Sequence, residues 1–149
     1  MKSLDRITAM LFSDVKGFSK IEDNNLIVRC QNIIHDDVKQ LLTPENHFYF
    51  NSWGDAFYIC SESAVALAEI ALQMRDKFRT RNWGKDGLPN DLAVRIALHM
   101  QEVKVIYKDE SGEVANVAGK DVNLTARIEP VTEPNAVFHQ SWRLQNRSG

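Results

Sequence analysis

The sequence predicts an α+β fold, an antiparallel-rich sheet with helices packed on one of its faces. Three observations predict it. Apolar or alternating runs over 7–12, 47–52, 56–60 and 92–100 read as strands. Two longer stretches, from Leu26 to Leu41 and from Leu67 to Phe78, repeat their apolar residues at the helical period. The resulting order, β-α-β-β-α-β and then α-β, is that of a layered sheet-and-helix domain.

Ile7 to Phe12 is rich in β-branched and aromatic residues, a buried central strand ending at Asp14. Gly17 then opens a helical stretch carrying Leu26, Ile27, Cys30, Ile34, Val38 and Leu41 on one stripe, which Pro44 stops. His47 to Ser52 and Ala56 to Cys60 flank Trp53-Gly54-Asp55, a hairpin signal. In the first of these, Tyr49 and Asn51 share a face and Phe48 and Phe50 take the other. Ser61 and Glu62 start a second helix whose stripe is Leu67, Ile70, Ala71, Met74 and Phe78. Asn82 to Asn90 is a loop. Strict alternation follows, with Val94, Ile96, Leu98 and Met100 on one face and Arg95, Ala97, His99 and Gln101 on the other; the strand continues to Tyr107. After a turn over 109–112 come a strand at Val114 to Val117, a helix from Gly119 to near Pro130, a strand over 136–139 and a final helical turn from Ser141.

A chain of 149 residues with 44% apolar and 26% charged residues has the size and balance of one soluble domain. Its formal charge of −2 provides no basic footprint for a nucleic-acid duplex. Cys30 and Cys60 have no metal-type spacing and read as buried thiols of a reducing compartment. The apolar run after Arg6 is too short for a signal peptide or a membrane span. The expected setting is cytoplasmic, with no membrane or nucleic-acid partner.

Asp14 and Asp55 each close an apolar run beside a glycine. If their strands are neighbours, both carboxylates emerge at one rim of the sheet, where two divalent cations could clamp a triphosphate. Lys16, Gly17 and Phe18 follow Asp14 where strand gives way to helix, so their backbone amides would make a phosphate cradle. By spacing alone the same residues serve equally as a helix cap and a turn aspartate.

Four motifs in order resemble those of class III nucleotidyl cyclase catalytic domains. They are Phe12-Ser13-Asp14-Val15-Lys16-Gly17-Phe18-Ser19, Trp53-Gly54-Asp55-Ala56, the strand Val94 to His99, and Gly119-Lys120-Asp121-Val122-Asn123-Leu124-Thr125-Ala126-Arg127-Ile128-Glu129. The resemblance implies the ferredoxin-like, palm-type fold of that family and a homodimer with active sites at the subunit interface. It also implies conversion of a nucleoside triphosphate to its 3′,5′-cyclic monophosphate and pyrophosphate. Asp14 and Asp55 would then bind two Mg²⁺ or Mn²⁺ with help from the carbonyl of Val15. Asn123 would orient the ribose, and Arg127 would stabilise charge on the transferring phosphorus. Four residues apart, Asn123 and Arg127 share a helix face, and a guanidinium suits a phosphoryl group. Arg95 is either a phosphate contact or half of a structural ion pair; His99 reads as a scaffold histidine.

The chain departs from the family at the base-reading positions. Where adenylyl cyclases pair Lys with Asp or Thr, and guanylyl cyclases Glu with Cys, this sequence has Asn51 and Asn116. A neutral amide donates and accepts, so it could read the edge of a pyrimidine. Tyr49 beside Asn51 would narrow the pocket. The pair resembles the pyrimidine cyclases of bacterial antiphage (Pycsar) systems, which make cyclic CMP or cyclic UMP. The alternatives are a purine cyclase with unusual base contacts, a degenerate cyclase-homology dimerisation domain, and a diguanylate-cyclase-like palm enzyme. The chain is expected to be a single catalytic domain in which the family's C-terminal strands and their phosphate-binding lysine are short or missing. Lys120, Arg95 or Arg143 would then replace that lysine. Gln101, where the family often has Gly, carries no assigned chemistry.

Overall fold

The computed structural model describes residues 2–108, 111–118 and 137–139, the last three and residue 101 by backbone alone. Within them the strands are β1 (Lys2–Lys16), β2 (Tyr49–Trp53), β3 (Ala56–Ser61), β4 (Ala93–Tyr107), β5 (Val114–Ala118) and β6 (Val137–His139). The helices are α1 (Asn24–Leu41) and α2 (Ala64–Thr80), with 3₁₀ turns at Phe18–Lys20 and Trp83–Asp86. The expected α+β architecture is present. The sheet runs β2-β3-β1-β4-β5, and β6 lies parallel to β4 along 96–98, beside the end that β5 does not reach.

One strand extends further than its side chains announce. β1 pairs antiparallel with β4 without interruption from Lys2 opposite Tyr107 to Lys16 opposite Ala93. Lys2 to Arg6 hold four polar residues and a single exposed Leu4, so no apolar run marks them. The ladder's own N–H···O bonds hold them, and Asp5 meets Lys104 at 2.9 Å across the strands.

The helix starts also differ from expectation. Gly17 does not open α1. It adopts φ 92° and leads into the short 3₁₀ turn, while α1 begins after Asp23, whose carboxylate accepts the N–H groups of Asn25 (2.8 Å) and Leu26 (3.2 Å). α2 begins after Ser63, which accepts from the Ala66 amide at 3.1 Å, two residues beyond the expected start. Between α2 and β4 the expected loop contains a core anchor. Trp83 is 1% exposed, donates its indole N–H to the Phe78 carbonyl at 3.1 Å and packs edge-on against the Phe78 ring. Arg81 lies over Trp83 and grips Asp37, itself only 5% exposed, with two nitrogens.

Both faces of the sheet are apolar. The face under α1 and α2 holds the main core, with Leu11, Val15, Phe57, Ile59, Val94 and Ile96 meeting Cys30, Ile34, Val38, Ile70, Met74 and Phe78. The other face carries Met10, Phe12, Tyr58, Cys60, Val103, Val105 and Val117, and among the described residues no helix covers it. Phe50 points to the helices as expected, whereas Phe48 joins Tyr49 on the open face. The reason is that β2 starts at Tyr49, so the two-residue period does not reach back to Phe48.

Candidate active site

Strand register arranges the open face as rows. Tyr49, Cys60, Met10 and His99 form one row across β2, β3, β1 and β4; Asn51, Tyr58, Phe12 and Ala97 form the next. At the hairpin end, Trp53 lies opposite Ala56, and on the far side of the sheet's centre Asp14 lies opposite Arg95. Asp14 is therefore inside β1, not at its end, and its side chain stands on the open face with Phe12 and Met10.

The β2–β3 turn delivers the second carboxylate. Gly54 at φ 61° allows the tight reversal, and Asp55 reaches across to accept the backbone N–H of Val15 at 2.9 Å. That bond staples the hairpin to β1 one residue beyond Asp14. Burial pushes the Asp55 carboxyl above the ordinary carboxylate range and the charge of Asp14 adds to this; the Val15 amide and Arg95 act in the opposite direction. Asp14 takes its own compensation from Arg95, whose Nε and Nη2 donate to the two carboxylate oxygens at 2.7 and 2.5 Å. Of the two sequence readings of Arg95, the structure realises the ion pair.

The other expected residues are placed as follows. Lys16 is exposed on the same face as Asp14. Gly17 needs its lack of a side chain, because an added Cβ would lie 3.3 Å from Leu92 Cδ2 at a positive φ. The turn after it closes through the amides of Lys20 and Ile21, and the Phe18 ring packs into the helix-side core, so Phe18 has its backbone to offer. Tyr49 and Asn51 stand on the open face, the Asn51 oxygen accepting the Ser52 amide at 2.9 Å. Asn116 is not brought to them. It lies opposite Ile106, out of phase with the Val105–Val117 pair that belongs to the open face, and its oxygen caps the Val117 amide at 2.8 Å. Asn123 and Arg127, with the helix and final turn expected around them, lie outside the described residues.

The sequence reading missed Trp53, taken there as a hairpin residue alone. The residue is 51% exposed on the open face and its ring leans on Phe12, centroids 5.6 Å apart at 53°. Phe12 touches Tyr58, which touches Tyr49, so aromatic rings run from the turn along the face. The alternation of Tyr49, Asn51 and Trp53 was the signal that could have found it.

The sequence profile of the adenylate and guanylate cyclase catalytic domain matches residues 1–141. The chain belongs to that family. Its fold agrees. The guanylyl cyclase Cya2 superposes with a TM-score of 0.80 at 24% identity, covering 97% of this chain and 80% of that one. The adenylyl cyclase CyaB from P. aeruginosa superposes at 0.79 and 17% identity, covering 93% and 79%. A dimeric guanylyl cyclase domain of the RhoGC fusion protein from the aquatic fungus Blastocladiella emersonii superposes at 0.75 and 14% identity, covering 92% and 80%. No curated protein matches the chain. As a nucleotide cyclase catalytic domain, the protein has a donor set suited to divalent cations. Asp14 and Asp55 offer hard carboxylate oxygens, the Asp55 carboxylate is fastened to Val15 next to Asp14, and a cationic group sits on Asp14. Among the described residues no third carboxylate, histidine or cysteine joins them. Such a pair leaves coordination positions for water and substrate phosphates, the usual manner in which Mg²⁺ is held.

Among the described residues no helix is long and apolar enough to cross a membrane.

Proposed function

We propose that this cyclase closes a pyrimidine nucleoside triphosphate, CTP or UTP, into its 3′,5′-cyclic monophosphate with release of pyrophosphate, acting as a homodimer with active sites between subunits. The observation that supports the reaction is the Asp55 carboxylate bonded to the Val15 amide, one residue beyond Asp14, within a cyclase fold. The pyrimidine reading is supported by a neutral amide at Asn51 flanked by Tyr49, Tyr58, Phe12 and Trp53, with bulk beside it and, among the described residues, no charged side chain in the Asn51–Tyr58–Phe12–Ala97 row. The resemblance to antiphage pyrimidine cyclases makes the product a defence signal.

Asp14, Asp55 and the Val15 carbonyl would hold the two divalent cations. When bound, these supply a lowered pKa for the ribose 3′-hydroxyl and neutralisation of the triphosphate. Arg95, held on Asp14 by two hydrogen bonds, stands where its guanidinium can turn to a phosphate oxygen once Asp14 has another cation. Lys16 and the amides after it face the triphosphate. Asn123 orients the ribose, and Arg127 takes up charge at the phosphorus, a role worth on the order of 10²–10³-fold in turnover.

A purine cyclase is the second reading, favoured by the names of the neighbours, an adenylyl and two guanylyl cyclases. The purified protein should be incubated with each of the four ribonucleoside triphosphates and Mn²⁺ or Mg²⁺, and the products separated. Cyclic CMP or cyclic UMP is expected to dominate; dominant cyclic AMP or cyclic GMP refutes the pyrimidine reading, and no cyclic product from any of them refutes catalysis.

A further inference from the structure

We propose that the cleft between α1 and the helix-side surface of the β2–β3 turn is an effector site for a neutral, planar, hydrogen-bonding heterocycle of nucleobase or nucleoside size. The cleft holds about 290 Å³ and is lined by Gln31, Asn32, His35, Ser52, Gly54 and Phe57. It lies on the sheet face opposite Asp14. Ser52 pairs with Phe57 and follows Phe50 at the two-residue period, so all three stand toward the helices. Gln31 and His35 are four apart on α1 and share its flank. Gly54 leaves the mouth open, since an added Cβ there meets nothing within 4 Å.

The lining sets the chemistry of the occupant. Among the described residues, the side chains of Gln31, Asn32, His35 and Ser52 make no hydrogen bond. Elsewhere amides are used locally: the oxygens of Asn46, Asn51, Asn90 and Asn116 each accept a backbone N–H. Two amides, each donor and acceptor at once, with an imidazole and a hydroxyl match the alternating donor–acceptor edge of a lactam or amidine ring. His35 tilts over Phe50, centroids 5.6 Å apart, and Phe50 stacks on Phe57 at 19°, so flat aromatic surface floors the polar rim. Among the described residues no Lys, Arg, Asp or Glu lines the cleft, so a phosphate or carboxylate entering it loses water without gaining a counter-charge. The volume stands at the small end of ligand sites, enough for a ring with one sugar.

One turn joins the cleft to the proposed metal site. Gly54 is a wall of the cleft, and the next residue, Asp55, is fastened to Val15 at 2.9 Å. Cys30, beside Gln31 on α1, has its thiol pushed up by burial and then by the charge of Asp55, which places that carboxylate near the same stretch of helix. An occupant bonded to both α1 and the turn restrains the hairpin that presents Asp55. Binding stands apart from the cyclase reading; its effect on turnover rests on that reading.

The test is calorimetric titration of the whole protein at pH 8 with cytidine, uridine and adenosine, and with their 5′-monophosphates. At least one nucleoside should bind saturably with a dissociation constant of about 0.1–1 mM, the strength expected of so small a ligand. Its monophosphate should bind about tenfold more weakly or worse, for want of a counter-charge. At ten times the dissociation constant the melting temperature should rise by about 3–6 °C. Gln31→Ala and Ser52→Ala should each weaken binding about five- to tenfold, the usual effect of losing one hydrogen bond. Asn32→Leu, at an exposed position of α1, should weaken it as much; where Ser52→Ala does not fold, Asn32→Leu decides. The rate of cyclic-product formation should change as the nucleoside saturates the parent, and stay constant in Asn32→Leu. No saturable binding by any of the three nucleosides overturns the assignment, as does a monophosphate that binds more tightly than its nucleoside or an affinity unchanged in Asn32→Leu. Saturable binding that leaves turnover unchanged overturns the effector role. A protein that makes no cyclic product yet binds the nucleoside through these residues upholds the site and refutes the cyclase reading alone.

Discussion

Asp55 carries two loads that a pair of substitutions separates. Its carboxylate accepts the Val15 N–H at 2.9 Å, which fastens the β2–β3 hairpin to β1, and it is one of the two proposed metal ligands. Alanine removes both functions. A half-buried amide losing its acceptor costs about 1–2 kcal/mol, and at 2–4 °C per kcal/mol for a chain of this size the melting temperature should fall by about 2–8 °C. Asparagine keeps an acceptor oxygen and removes the charge. Because burial and Asp14 raise the Asp55 pKa in the folded protein, ionising it works against folding, and Asp55→Asn relieves that cost. The sign follows from the direction: the advantage of asparagine is absent at acidic pH, where aspartate is protonated in both states, and grows as pH rises through the raised value. At pH 7 and without metal, Asp55→Asn should melt no lower than the parent and Asp55→Ala below it. Both should lose turnover on the order of 10²–10³-fold or more. Thermal melts from pH 4 to 8 beside product assays measure this. An Asp55→Asn protein as destabilised as Asp55→Ala would refute the staple; undiminished turnover in either would refute the metal assignment.

Arg81→Ala leaves Asp37 charged and buried without its partner, which should cost about 3–5 kcal/mol by urea denaturation. The double change Asp37→Leu with Arg81→Met should recover most of that loss. Gly17→Ala forces a side chain into a positive φ against Leu92 and should cost about 1–2 kcal/mol in the same assay. Burial pushes the Cys30 thiol up to about 11, with the charge of Asp55 adding to it, and the Cys60 thiol up to about 12. Neither should react with a thiol-specific disulfide reagent at pH 8 until the protein unfolds, and a fast-reacting thiol in the native state would contradict their burial.

Local periodicity determined much of this protein in advance. The 3.6-residue stripes of α1 and α2, the alternation of β4 and the Trp53-Gly54-Asp55 turn depend on neighbours in sequence, so they were legible there, and the order of elements then left few sheet topologies. The motif glycine and the carboxylates Asp14 and Asp55 were legible for the same reason. What periodicity cannot contain is register between strands distant in the chain. That register set Asp14 opposite Arg95 across 81 residues and so made Arg95 an ion-pair partner. It also turned Asn116 to the face away from Asn51, a result of phase along β5 that its composition does not encode. Trp53 differed in kind, since a tryptophan in a hairpin reads as packing until the fold leaves the residue half exposed beside the two carboxylates. Residue types named the chemistry; only the non-local pairing of β1, β3 and β4 decided which of those residues meet.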